Sequence, residues 1–250
     1  MIVFGLDTAT PSTAVALRLA DGSTTDARDD PPAGAHPGHA TRLLEMADEL
    51  LARAGIAWSA VDRIAVGLGP GTFTGLRVGV ATARGLAQSL AAELVGVSSL
   101  QALALAALAP DPAAPSAVLA VLDARRGEAF AAAYLAGDPG PPHELTDPAA
   151  LAPEELPGVI ARAGRAAGGA PRRWLAVGDG ALRYRAELEA AGIPAAAERS
   201  PLHRVSAAAV CELGAHAAPV SLHELLPDYR RRPDAELALI ATGTATGPST

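Results

Sequence analysis

Gly69-Pro-Gly-Thr-Phe-Thr-Gly-Leu-Arg77, continuing as Val78-Gly-Val-Ala-Thr-Ala-Arg-Gly-Leu-Ala87, links the apolar run Arg63-Ile-Ala-Val-Gly67 to a long pattern of helical period. Together these residues predict a strand, a glycine-rich turn and a helix. The backbone N–H groups of such a turn and of the helix start behind it converge on one spot, a geometry that suits an anion. The side chains of the known phosphate loops are nevertheless missing. A Walker loop needs Lys after its last glycine, where Leu76 stands, and in the dinucleotide spacing the third glycine falls on Thr74. The stretch has the shape of a ligand loop without its ligand chemistry.

The helix start points to a packing role. Thr74 is the expected N-cap, with Phe73 and Val78 at the two positions of a hydrophobic staple. Arg77 falls in the first turn, where a cation opposes the macrodipole, so it calls for a carboxylate or an outside partner. Gly75, Gly79, Thr82, Leu86 and Ser89 share one helical face, and small residues at that spacing let another helix approach closely. Leu76, Val80, Ala83, Ala87, Leu90 and Leu94 form a second, apolar face. Two packing faces mean either a helix buried in its own lobe or one at an interface, and the pattern leaves both open.

Outward from this unit, strands are expected over Ile2–Asp7, Thr13–Leu19 and Thr24–Arg28, with the turn Thr8-Ala-Thr-Pro-Ser12 between the first two. A loop over Pro31–Gly38 precedes a Thr41–Ala54 helix. That helix carries the stripe Leu43, Ala47, Leu50 and Ala54, a Glu49–Arg53 pair at i,i+4, and Gly55 as C′. Val61–Gly67 and Leu94–Val97 are strands, and Ser98 caps a helix that runs to Leu108. Pro110–Pro115 looks like a linker, after which the order restarts: strand Ala117–Leu122, turn Asp123-Ala-Arg-Arg-Gly127, strand Glu128–Leu135. Gly137–Gly158 reads as loop, Trp174–Val177 as a strand before Gly178-Asp-Gly180, and Leu182–Ala191 and Val205–Ala217 as helices; the tail after Asp234 has little pattern and is expected to fray. Hairpins followed by strand–helix alternation imply an α/β protein with mixed sheets.

Composition restricts the chemistry. All 20 basic residues of the 250-residue chain are arginine, which removes a P-loop lysine, a Schiff-base lysine and a lysine general base together. Half of the residues are apolar and 19% charged, as in a globular protein. A net charge of −7 makes the chain a poor lone binder of nucleic acid. The single cysteine, Cys211, lies in an Ala/Val/Leu helix pattern and reads as core, in keeping with a reducing cytosol. A basic leader and an apolar run of membrane-spanning length are both absent from the pattern. Asp7 with Thr8, and Asp123 in the second half, each end a strand at a turn. They either satisfy turn N–H groups or hold a metal beside nucleotide phosphates. His36 and His39 flank Pro37-Gly38 and have no helical spacing for zinc, so no metal site is expected. Arg125-Arg126, Arg172-Arg173 and Arg230-Arg-Arg232 are small basic spots, either solvated or facing RNA or an acidic partner. No catalytic triad or Gly-x-Ser-x-Gly elbow is discernible, and no catalytic residue is assigned.

Leu6-Asp-Thr-Ala-Thr10, the whole run Val66–Leu86, Val95-Gly-Val-Ser-Ser-Leu100, Asp123-Ala-Arg-Arg-Gly-Glu128 and Pro227-Asp-Tyr-Arg-Arg231 closely resemble the bacterial TsaB (YeaZ) family. The resemblance covers nearly the whole chain and is weakest over 137–173. It implies the ASKHA (actin/Hsp70/sugar-kinase-like) fold with two ribonuclease-H-like lobes, residues 1–109 and 116–234, and a tail over 235–250. It implies a non-catalytic dimerisation subunit of the cytoplasmic complex that forms N6-threonylcarbamoyladenosine beside the tRNA anticodon. The partners implied are a TsaD-type catalytic subunit, a TsaE-type ATPase and a second copy of the chain, with tRNA reached only through the complex and no membrane contact. Leu43, Ala47, Leu50, Thr74, Gly75, Arg77, Gly79, Thr82 and Leu86 become the expected partner surface. Asp7, Thr8 and Asp123 become the remains of a nucleotide site. No cofactor is expected on this chain alone; ATP and a metal belong to the partner subunits. The alternative is an enzyme of the same fold, an ATP-dependent phosphotransferase or a metallopeptidase-like protein.

Overall fold

The opening strand has to be central, because all five of its residues are apolar or buried. β1 (Val3–Asp7) shows no exposed position, as expected for a strand covered on both faces. In the computed structural model, which describes residues 1–32, 34–108, 115–137, 140–169 and 173–230, β1 is flanked by β2 (Thr13–Arg18) and β4 (Arg63–Gly67). β3 (Thr24–Asp29) and β5 (Glu93–Val97) complete the order β3-β2-β1-β4-β5. β1, β2 and β3 run antiparallel, in the register Val3 opposite Arg18, whereas β4 and β5 join in parallel.

Alternate residues of each strand feed two separate cores. Phe4, Leu6, Val15, Leu17, Ile64 and Val66 pack under α1 (His39–Ala54) and α2 (Phe73–Leu90). Val3, Ala14, Ala16, Ala65 and Val95 face the other way, toward α3 (Ser99–Ala107) and α7 (Ala207–His216). That second core is shared with the next sheet, built from β6 (Ala117–Arg125), β7 (Glu128–Leu135), β8 (His143–Glu144), β9 (Ala149–Leu151) and β10 (Trp174–Val177). Its order is β10-β6-β7-β8, with β9 also on β7. α4 (Leu156–Ala166), α5 (Asp179–Arg183) and α6 (Arg185–Ala190) cover its far side.

Several local expectations are corrected. α2 starts at Phe73 on the N-cap Thr72, so Phe73 and Val78 do not hold the staple positions. α1 starts two residues before Thr41, because the Gly38 carbonyl already accepts the N–H groups of Thr41 and Arg42. The region expected as loop over Gly137–Gly158 contains β8, β9 and the start of α4. Pro and Gly at Pro157-Gly158 hid that helix start, although Pro is welcome in a first turn. The 110–114 part of the linker and the 235–250 tail lie outside the described residues.

The lobes are not consecutive pieces of chain. α7, read from sequence as part of the 116–234 lobe, lies on β1, β2 and β4 of the first sheet. Gly5 and Gly214 permit this. A Cβ on Gly5 would strike the Cys211 sulfur and one on Gly214 would strike Ala65. Cys211 Sγ itself sits 3.5 Å from the carbonyl oxygens of Val3 and Ala16, and burial pushes the thiol up to about 12. Residues 218–230 then return along the first lobe. Val220 N–H donates to Leu94 O and Asp228 N–H to Leu68 O, both at 2.8 Å, and buried Leu225 anchors the segment. Among the described residues no helix is long and apolar enough to cross a membrane.

Candidate functional site

α2 presents a different face from the one expected. Gly75 and Gly79 point inward, and a Cβ on either would collide with Thr8. The Thr8 hydroxyl donates to Gly75 O at 2.7 Å, so these glycines bring the helix onto the turn after β1, within its own lobe. Leu43, Ala47 and Leu50 of α1 are likewise core residues, at most 2% exposed. All five leave the partner surface. A small-residue stripe reads alike whether its own lobe or a foreign helix comes close, and here it is the turn after β1. Thr82 and Leu86 are half-buried, while Thr74 and Arg77 are exposed. The exposed residues of α2 are Thr74, Arg77, Ala81, Gly85, Gln88 and, at its last turn, Ser89 of the expected stripe, with Val78 half-buried beside them. Apart from Ser89 they lie about 100° round the helix from the expected stripe, the rotation of one residue. Gly85 has nothing within 4 Å of where its Cβ would be. On α1, Leu44 is 47% exposed.

Arg77 finds rings of its own chain where a carboxylate or an outside partner was expected. Its guanidinium carbon lies 3.7 Å over the Phe73 ring, and its Nε donates to the Tyr229 hydroxyl at 3.1 Å. Phe73 and Tyr229 are themselves 5.0 Å apart. The cation–π contact offsets its unfavourable place in the first turn. Sequence alone had no means of bringing residue 229 here.

The glycine loop is closed by its own protein. Thr72 N–H donates to Ala9 O at 2.7 Å, Ser99 N–H donates to Gly69 O at 2.9 Å, and Gly71 has no room for a Cβ against Ala9. Beneath it Asp7 is 1% exposed and accepts from Ser99 Oγ at 2.6 Å and from Ala9 N–H at 2.9 Å. Burial pushes its carboxyl above the usual carboxylate range, against the opposing pull of the Ser99 and Ala9 hydrogen bonds and of Arg28. Asp7 and Thr8 therefore serve the turn. Asp123 belongs to the other sheet, where its carboxylate faces Arg125 and Arg183. Asp7 and Thr8 are thus on the first sheet's side and Asp123 on the second's.

A cleft of about 270 Å³ does lie between the lobes, with Thr10, Ser12 and Asp30 on one wall and Asp179, Arg199 and Arg204 on the other. Asp30 is paired with Arg28 and Arg204, and the carboxyl of Asp179 is raised by burial. The sequence signal for this cleft was Gly178-Asp-Gly180; Asp30 and Arg204 carried none. His39 is buried with Nδ1 2.9 Å from Thr13 Oγ1, whereas His36 is exposed. Among the described residues no group of three His, Cys, Asp or Glu side chains is placed to hold a metal.

Two mixed sheets, each with an antiparallel strand pair whose first strand carries an aspartate at or near its end, define a two-lobed α/β protein. The sequence profile of TsaD, tRNA N6-adenosine threonylcarbamoyltransferase, matches residues 31–238. The chain belongs to that family, and within it to the TsaB (YeaZ) branch. It is 35% identical over 154 residues to the tRNA threonylcarbamoyladenosine biosynthesis protein TsaB of Escherichia coli, covering 62% of this chain and 64% of that one. With TsaB of Haemophilus influenzae it is 38% identical over 130 residues, 52% of each. The matched stretch thus spans about half to two thirds of these relatives. The solved YeaZ of Pseudomonas aeruginosa superposes with a TM-score of 0.72 at 30% identity, over 91% of this chain and all of that one.

Proposed function

We propose that this chain is a non-catalytic subunit of the machinery that forms N6-threonylcarbamoyladenosine on tRNA, and that it pairs through the outer faces of α1 and α2 with a TsaD-type catalytic subunit. The observation that carries the pairing is the exposed small-residue face of α2, Ala81 and Gly85; on α1, Leu44 is exposed as well. Between Arg77 and Gln88 the exposed positions are only Ala81 and Gly85, and small residues there allow close approach of a second helix. The biosynthetic role follows from the names of the TsaB relatives. On this reading ATP and metal are handled by the TsaD- and TsaE-type subunits, tRNA is reached through the assembly, and the work is cytoplasmic. The closed loop around Asp7 supports the absence of a nucleotide at the β1 turn.

Gly85→Trp tests the pairing. Nothing lies near its Cβ, so the variant is expected to fold, shown by circular dichroism, yet to lose co-elution with a TsaD-type partner on size-exclusion chromatography. Normal pairing by a folded Gly85→Trp chain removes this face from the interface. Loss of self-association alone, with pairing to the TsaD-type partner intact, would make the face a homodimer contact.

A further inference from the structure

The β6–β7 hairpin goes against local preference. Arg125, Arg126 and Gly127 all have positive φ, at 66°, 52° and 82°. Glycine takes that region freely, and Asn and Asp tolerate it next best, while a long side chain strains the backbone. Arginine nevertheless occupies two of the three positions. Carboxylates beneath the turn hold it there. The strand register shifts between Asp123 and Arg125, and Asp123 Oδ1 accepts the Arg125 N–H at 2.9 Å. The Asp123 N–H in turn donates to Asp179 Oδ1 at 3.0 Å. Strain that is over-determined by its surroundings marks a place where side-chain identity matters.

Those side chains form a cationic tip. Arg125 and Arg183 are 56% and 54% exposed and share one Asp123 oxygen, at 3.4 and 3.7 Å. Arg126, beside them, is exposed as well. Two guanidinium groups thus meet at one carboxylate that is itself 8% exposed, with exposed Arg126 next in the turn, on a chain whose net charge is −7. None of the exposed large apolar residues, Met1, Leu44, Val220, Leu226 and Tyr229, belongs to β6, β7 or α5. A protein interface needs an apolar centre. An arginine-rich tip without an exposed large apolar residue suits a chain of phosphates, which the planar guanidinium meets bidentately.

We propose that the Asp123–Gly127 tip together with Arg183 contacts the phosphate backbone of RNA. Resting on the function proposed above, that RNA is the tRNA held by the assembled complex. The contact positions the RNA and reads no base.

The test is a salt titration of RNA binding by the full chain, using an unmodified tRNA transcript and an unrelated RNA duplex as probes. Arg126→Asn is the leading variant, because Asn tolerates the left-handed backbone and its melting midpoint should equal or exceed that of the native chain. The slope of log affinity against log salt is expected to flatten by about 0.7–0.9 for each arginine removed. Equivalently, the loss of affinity between about 50 and 200 mM salt shrinks by roughly threefold per arginine. Arg126→Lys, which keeps the charge, should keep the slope. An Arg125→Asn/Arg126→Asn/Arg183→Gln chain with the native slope overturns the proposal, as does a native chain that binds neither RNA at low salt. So does loss of an acidic protein partner while RNA binding stays unchanged. The duplex probe separates the two ideas. A chain required for tRNA modification whose hairpin variants bind RNA normally keeps its function and refutes this contact. Slopes that flatten in a chain not required for modification keep the contact and refute the function.

Discussion

Asp7 is where the chemistry of a single residue diverges most from its sequence pattern. A strand-ending aspartate before a Thr-rich turn looks ready for a metal or a phosphate. Here it is sealed under the glycine loop with a raised carboxyl pKa. The sign of the linkage follows from that shift. A carboxyl whose folded pKa lies above its ordinary 3.8 stabilises the fold fully below that value, and the contribution is lost as pH rises through the folded pKa. Asp7→Asn holds the group neutral and keeps a carbonyl to accept the Ala9 N–H. The variant should therefore gain stability over the native chain progressively from about pH 4 toward neutrality. Urea unfolding of both proteins at several pH values reads this directly. A stability difference that does not change with pH would contradict it.

At the scale of the element, α2 shows that a glycine's role depends on what stands above it. Gly79 and Gly85 both interrupt a helix, and each alone lowers helix propensity by about 1 kcal/mol relative to Ala. Their surroundings differ: Gly79 faces the Thr8 hydroxyl, and Gly85 faces open space. Gly79→Ala should destabilise, since overpacking of about 1–3 kcal/mol outweighs the propensity gain. Gly85→Ala should stabilise the isolated chain by about 0.5–1 kcal/mol. Denaturant midpoints at unchanged m-value would show the two opposite signs. Equal effects would mean that the two faces of α2 have been assigned wrongly.

For the whole molecule the decisive fact is that the chain returns to its first sheet. Arg63 on β4 is the clasp. Its guanidinium is buried, and one nitrogen donates to the carbonyl oxygens of Gly214, Ala215 and Ala217 at 2.7–3.2 Å. The other side holds Glu93, with Nε 2.8 Å from its carboxylate. The cation thus caps the C-terminal end of α7, where the macrodipole favours it. Arg63→Met leaves those carbonyls without a donor and is expected to cost roughly 2–3 kcal/mol. Because α7 is part of the core shared by both sheets, the loss should shift one cooperative transition, seen alike by circular dichroism and tryptophan fluorescence. Separate transitions for Trp58, in the first lobe, and Trp174, in the second, would show that the lobes stand independently.

Sequence by itself determined the strand–turn–helix units, the α/β class with mixed sheets, the missing lysine chemistry and the family. These rest on local periodicity, on turn residues and on motif identity, all of which act over a few residues. It also placed Ser98 as a cap, confirmed by its bond from the Gln101 N–H, and Cys211 in the core. Only the tertiary structure decided which face of α2 is free, that Leu43, Ala47 and Leu50 belong to the lobe's own core, and that Arg77 meets Phe73 and Tyr229. Only the tertiary structure showed that α7 crosses to the first sheet. The physical reason is common to all four. An apolar or small-residue stripe looks the same whether it meets its own sheet or a partner. Orientation is then set by contacts between residues far apart in sequence, such as Thr8 with Gly75 or Arg63 with Gly214, and no local pattern carries them.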